Sequence, residues 1–190
     1  DVLDAIAEVS KAKNCGTHID GARIFNASVA TKTSLHRMTR DYDSVSICLS
    51  KGLGAPVGSV LVGSQDFIDQ AHRWRKMFGG GMRQSGILAA AGIYALENNV
   101  QRMEDDHRRA RAIAQAIDEM DHVSVDLDAV QTNMVYFAAN KYSASEVSQK
   151  MAEAGIDMFD ISPTHCRIVT HLHITDEDVN KVIEVLSNLN

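Results

Sequence analysis

Lys51 stands in the run Ser50-Lys51-Gly52-Leu53-Gly54-Ala55-Pro56, directly after the apolar or small stretch Ser44 to Leu49. A short run of that kind reads as a buried strand, and a strand's carboxyl end is where α/β sheets place ligands. Small residues after the lysine let a bulky planar group approach the backbone. An amine so placed can lose its proton through desolvation or a neighbouring cation and become a nucleophile toward an aldehyde. The plainer alternative is a solvated surface amine. Asp20 ends a second short strand, Thr17-His18-Ile19-Asp20. An acid there is costly to bury without a partner, and a protonated ring nitrogen would be one; a turn aspartate before Gly21 is the other reading.

Two arginines extend the set. Arg23 lies three residues past Asp20, and Arg167 sits in Cys166-Arg167-Ile168-Val169-Thr170. A guanidinium matches a carboxylate with two parallel hydrogen bonds, each charge-assisted bond contributing about 1.5–3 kcal/mol. A strand arginine is otherwise an edge or surface residue. The turn Gly79-Gly80-Gly81-Met82-Arg83-Gln84-Ser85 opens a helix and can offer N–H groups and Arg83 to a phosphate. It fits neither G-x-G-x-x-G nor the Walker pattern, so nucleotide binding is disfavoured. His171-x-His173 reads as a strand-end surface pair rather than a metal site.

The elements that must hold these residues follow from periodicity. Val2, Leu3, Ile6 and Val9 recur at helical spacing, and Asn14 with Gly16 stops that helix. The chain opens at Asp1 within this helical pattern, as the later part of a longer polypeptide would. Ser59 to Val62 reads as a strand between Gly58 and Gly63. Ser64 caps a helix through Met77 with Phe67, Ile68, Ala71 and Trp74 on one side. After the glycines, a helix from Ser85 carries the stripe Ile87, Leu88, Ala91, Tyr94 and Ala95, and another spans roughly 100–120. Beyond it, 123–125, 133–138, 157–161 and 167–170 read as strands. Two helices among them open on capping boxes, Ser143-x-x-Glu146 and Thr175-x-x-Asp178. The expectation is an α/β chain of two domains. Residues 1–120 form part of a doubly wound, mostly parallel sheet with helices on both faces, and residues 121–190 form a small α+β domain.

Composition limits the function. The 190 residues are 45% hydrophobic and 23% charged, as in ordinary globular domains, and the net charge of −6 disfavours nucleic acid. Arg73, Arg75, Lys76 and Arg108, Arg109, Arg111 fall in helices and read as solvated faces or dimer contacts. Cys15, Cys48 and Cys166 form no C-x-x-C pair, which suits a reducing, cytoplasmic compartment and neither a disulfide framework nor zinc. No apolar run is long enough to span a membrane.

Together, His18 to Ala27, Ser50 to Ser59 and Gly79 to Gln84 resemble the low-specificity L-threonine aldolases, and the resemblance continues through Arg167-Ile168-Val169-Thr170-His171-Leu172. It implies the aspartate-aminotransferase fold and a pyridoxal 5'-phosphate lyase that cleaves L-threonine or L-allo-threonine to glycine and acetaldehyde. In that reading Lys51 holds the cofactor as a Schiff base, Asp20 partners its pyridine nitrogen and Arg83 its phosphate. Arg23 and Arg167 clamp the substrate carboxylate. The resemblance also implies homodimers or homotetramers, and places this chain in the carboxyl-terminal portion of the family's longer polypeptide. The amino-terminal half, with the group that stacks on the ring and the base for the β-hydroxyl, is then outside it. Another enzyme of the same fold, an aminotransferase or β-eliminating lyase, and a noncatalytic fragment are the alternatives.

Overall fold

The computed structural model describes residues 2–189, so the expected helical opening at Asp1 lies outside the described residues. The chain forms two compact units that divide after Gln101.

In the first unit, α1 (Val2–Ala12), β1 (His18–Asp20), α2 (Ile24–Thr31), α3 (Leu35–Thr39) and β2 (Ser44–Cys48) lead to β3 (Ser59–Gly63). The helices α4 (Gln65–Met77) and α5 (Gly86–Asn98) follow. The sheet order is β1-β2-β3, with β1 parallel to β2 and β2 antiparallel to β3. Alternation in β2 explains its two faces. Val45 and Ile47 point one way, while Ser44, Ser46 and Cys48 point the other. Asp43 fixes the start of the parallel pair: its Oδ2 accepts from the Thr17 backbone N–H at 2.7 Å and from the Thr17 hydroxyl at 3.0 Å. Those bonds hold the Asp43 carboxyl below the usual carboxylate range. The first helix is tied down by a two-pronged Arg37–Asp4 pair at 2.8 and 2.6 Å.

Ser64 caps α4 as its position predicts, accepting from the Phe67 N–H at 3.3 Å. The apolar stripes of α4 and α5 behave differently from expectation. No residue of α4 is buried, and in α5 Ile87 and Tyr94 are 74% and 65% exposed while Gly92 and Ala95 are buried. Only the small-residue side of α5 meets the rest of this unit, because a Cβ on Gly92 would already lie 3.1 Å from Leu49 Cδ1. Periodicity found the helix, and side-chain size then selected the face that packs.

The second unit opens with α6 (Met103–Asp118), then β4 (Val123–Val125), a short 3-10 turn, β5 (Met134–Ala139), α7 (Ala144–Glu153), β6 (Phe159–Asp160), β7 (His165–Val169) and α8 (Asp176–Ser187). Its sheet is antiparallel throughout, in the order β4-β5-β7-β6. One face buries Val123, Val135, Phe137, Cys166 and Ile168 with Ala110, Ile113, Ala114 and Ile117 of α6, Val147 and Met151 of α7, and Val179, Val182 and Leu186 of α8. Each fully buried large apolar side chain contributes about 1.5–3 kcal/mol, and this core draws α6 into the second unit. The division therefore falls after Gln101, where the sequence suggested a boundary near residue 120. The capping boxes form as spaced: Ser143 N–H donates to Glu146 at 2.8 Å and Thr175 N–H to Asp178 at 2.8 Å. Arg108 and Arg109 both reach Asp176 on α8, so these cations link two helices of one unit.

Candidate active site

Asp20 is the last residue of β1 and pairs in register with Ser46 of β2. The chain then turns sharply. Gly21 N–H donates to the Ile19 carbonyl at 2.9 Å, and Ala22 N–H donates to Asp20 Oδ1 at 3.1 Å. The turn-aspartate role is thus real, and it uses one oxygen. The other has no partner among the described residues, and the side chain is exposed. Gly21 is required by proximity: a Cβ there would lie 2.9 Å from the Ser46 carbonyl oxygen and 2.9 Å from Val45 Cγ1. Arg23 follows at the N-cap of α2, half-buried, with its Nε buried and lacking an acceptor. A buried N–H without a partner costs about 1–3 kcal/mol. Such a group is poised for an acceptor that the described residues do not supply.

Lys51 lies three residues past β2, at the same edge of the parallel pair that Asp20 terminates. Its loop is braced from both sides. Leu49 N–H donates to the Gly58 carbonyl at 2.9 Å, Ala55 N–H to the Leu49 carbonyl at 3.0 Å, and Gly54 N–H to the Lys51 carbonyl at 2.9 Å. Gly54 adopts φ +73°, which favours glycine because a Cβ is crowded there. Leu53, 1% exposed, pins the loop into the unit, and the Asn99 amide from the end of α5 donates to its carbonyl at 2.7 Å. The Lys51 side chain is exposed, and its amine has no hydrogen-bond or ion-pair partner among the described residues. The hydrogen-bonded loop thus presents this amine to solvent.

Three neighbours were not legible as site residues. Cys48 lies on the β2 face that carries Ser46. Burial pushes its thiol up, but hydrogen bonds from Ser50 and the Lys51 charge outweigh this and hold it below the ordinary value. His18, two residues before Asp20, bridges β1 to β2 through Ser44 Oγ at 2.9 Å and Ser46 Oγ at 3.3 Å. Asn99, 46 residues from Leu53, gave no local signal. The alternating Ser-Val-Ser-Ile-Cys could have exposed the polar face, once a polar residue was sought on β1.

The remaining candidates lie on other elements. Arg83 is exposed in the turn before α5, whereas the part of α5 that touches the lysine loop is Gly92, about 9 Å along the helix from Gly86. Arg167 belongs to the second unit, in the middle of β7. Its Nε is likewise buried without an acceptor, and its guanidinium carbon lies 4.8 Å from the centre of the Phe159 ring. His171 and His173 meet edge to face at 5.7 Å, and no cluster of three or more metal-binding side chains occurs among the described residues.

A family model described as beta-eliminating lyase matches residues 1–140. The chain belongs to that family. Among curated relatives, the low specificity L-threonine aldolase of Escherichia coli (strain K12) is 47% identical over 175 residues, which cover 92% of this chain and 51% of the relative. The low-specificity L-threonine aldolase 1 of Arabidopsis thaliana is 42% identical over 183 residues, covering 95% of this chain and 51% of that one. The chain thus spans about half the length of these curated relatives. In structure, a threonine aldolase of Leishmania major superposes with a TM-score of 0.79 at 19% identity, over 98% of this chain and 55% of that one. The α/β fold is shared, and the similarity to low-specificity L-threonine aldolases extends over both units of this beta-eliminating lyase family member. Among the described residues no helix is long and apolar enough to cross a membrane.

Proposed function

We propose that this chain supplies the lysine, acid and arginines of a pyridoxal-phosphate site that cleaves threonine, allo-threonine or related β-hydroxy-α-amino acids to glycine and an aldehyde. The observation that carries this reading is the placement of Asp20, Arg23 and Lys51 after the carboxyl ends of the parallel strands β1 and β2, each with a polar group unpartnered among the described residues. The names of the aldolase relatives supply the substrate class.

These residues fit the cofactor. Lys51 offers an amine that is unpartnered among the described residues on a hydrogen-bonded loop, and Asp20 keeps an oxygen for a protonated ring nitrogen. Lys51 would hold pyridoxal phosphate covalently, Asp20 would keep its nitrogen protonated, and Arg83 would meet its phosphate. When bound, the cofactor supplies an electron sink for the pair released as the Cα–Cβ bond breaks. Arg23 and Arg167 orient the substrate carboxylate by two-pronged hydrogen bonds, which fixes the torsion that exposes the breaking bond. The first unit, with its sheet edge, acts as part of the cofactor-binding domain; the second contributes Arg167 from a small α+β domain. The polypeptide that carries this chain works as a homodimer or homotetramer in the cytoplasm.

The test is product analysis of the complete, cofactor-loaded polypeptide that carries this chain. Aldehyde and glycine released from threonine without a keto-acid acceptor support the aldolase reading. The family description favours β-elimination as a second reading, for which a keto acid and ammonia would form instead. Neither product set from any β-hydroxy amino acid refutes both.

A further inference from the structure

The register of the second unit's sheet sets three side chains in one row. Arg167 pairs with Tyr136 of β5 on one side and with Phe159 of β6 on the other. Directly paired residues of an antiparallel sheet share a face, so all three point away from the core that Val135, Phe137, Cys166 and Ile168 line. The two aromatics are 46% and 60% exposed. Between them Arg167 is largely buried, and its Nε is shut off from solvent without an acceptor among the described residues.

We infer that Phe159 is a positioning residue for the carboxylate subsite, acting through Arg167. This rests on the reading that Arg167 receives the substrate carboxylate. The guanidinium carbon lies over the Phe159 ring at 4.8 Å, within the range where the ring's negative face attracts a cation. That attraction restrains the long, flexible side chain before any ligand arrives. It leaves the terminal N–H groups of the guanidinium for a two-pronged acceptor. An edge strand of two residues, Phe159–Asp160, would otherwise have little reason to present a large apolar ring to solvent.

The test compares Phe159→Leu, Phe159→Tyr, Arg167→Lys and the parent, each as the complete cofactor-loaded polypeptide. Glycine affinity is read from the cofactor's absorbance, beside KM and kcat for threonine and the affinity for methylamine, which has no carboxylate. Phe159→Leu should weaken glycine binding and raise KM roughly three- to thirtyfold, the range a lost cation–π contact implies. It should leave kcat within about twofold and methylamine binding unchanged, and Phe159→Tyr should restore the parent values. Equal losses for glycine and methylamine, or parental glycine affinity in Phe159→Leu while Arg167→Lys is weakened, overturn the inference and leave the arginine clamp standing. Parental glycine affinity in Arg167→Lys overturns the clamp itself.

Discussion

Gly21→Ala perturbs the candidate site through one backbone contact. Gly21 does not adopt a positive φ, so an added methyl costs nothing in conformation. Its cost is steric, since the new Cβ would lie 2.9 Å from the Ser46 carbonyl oxygen, 2.9 Å from Val45 Cγ1 and 3.3 Å from Ile24 Cβ. Carbon contacts are comfortable near 3.5 Å or beyond, so the turn must retreat by about half an ångström. Overpacking of this kind costs about 1–3 kcal/mol. The neighbour that resists is a carbonyl of β2, whose residue Ser46 pairs with Asp20, so the retreat separates Asp20 and Arg23 from the Lys51 edge. A displacement of half an ångström at a pre-organised site should weaken cofactor binding roughly tenfold. Gly79→Ala is the control: nothing lies within 4 Å of its Cβ, and its φ of +81° brings conformational strain alone. Urea unfolding measures the first effect and cofactor titration the second. Gly21→Ala with parental stability refutes the steric argument, and lost stability with parental cofactor affinity removes the site from this strand edge.

Asn99→Ala leaves the Leu53 carbonyl without its 2.7 Å donor; it should destabilise the lysine loop by about 1–2 kcal/mol, read as faster amide exchange in residues 49–58. Iodoacetamide should alkylate Cys48 well before Cys166, because burial pushes the Cys166 thiol up to about 11 while Cys48 is held below its ordinary value. Lys51→Met should slow the Cys48 reaction, and equal rates for the two cysteines would contradict this. Acid should destabilise the fold. Asp43, Glu146 and Asp178 are held below the carboxylate range by hydrogen bonds from Thr17, Ser143 and Thr175, so their stabilisation is present above the unfolded-state value near pH 4 and lost as pH falls through the lower folded value. Burial lowers His107 as well, which adds a loss beginning as pH falls below about 6.5. A urea midpoint that rises on acidification would contradict both.

Local signals survived the passage from sequence to structure. Ser64, the Ser143–Glu146 box and the Thr175–Asp178 box cap the helices that their spacing marks, since a cap depends on residues within one turn. The strand ends that carry Asp20 and Lys51 were legible for the same reason, from apolar runs that stop at small residues. Long-range choices were not. Which side of α5 packs depends on how closely Gly92 can approach Leu49, and α6 joins the second unit because Ile113 and Ile117 find Val123 and Phe137 there. The strand expected at 157–161 shrinks to Phe159–Asp160, paired with β7, and the one expected at 167–170 begins at His165. Arg167 could be read as a candidate from its type, but the aromatic row beside it exists only in the register of β5, β7 and β6. The sequence marks no site role for Cys48, His18 or Asn99, because their partners are distant in the chain or change meaning only once the sheet is formed.

Lys51 is the amine proposed to hold the cofactor. Borohydride reduction of the complete polypeptide after incubation with pyridoxal phosphate, followed by peptide mapping, measures this directly. The expected result is a single stable adduct on Lys51, abolished in Lys51→Arg and weakened in Asp20→Asn. An adduct on a different lysine, or none at all, contradicts the account.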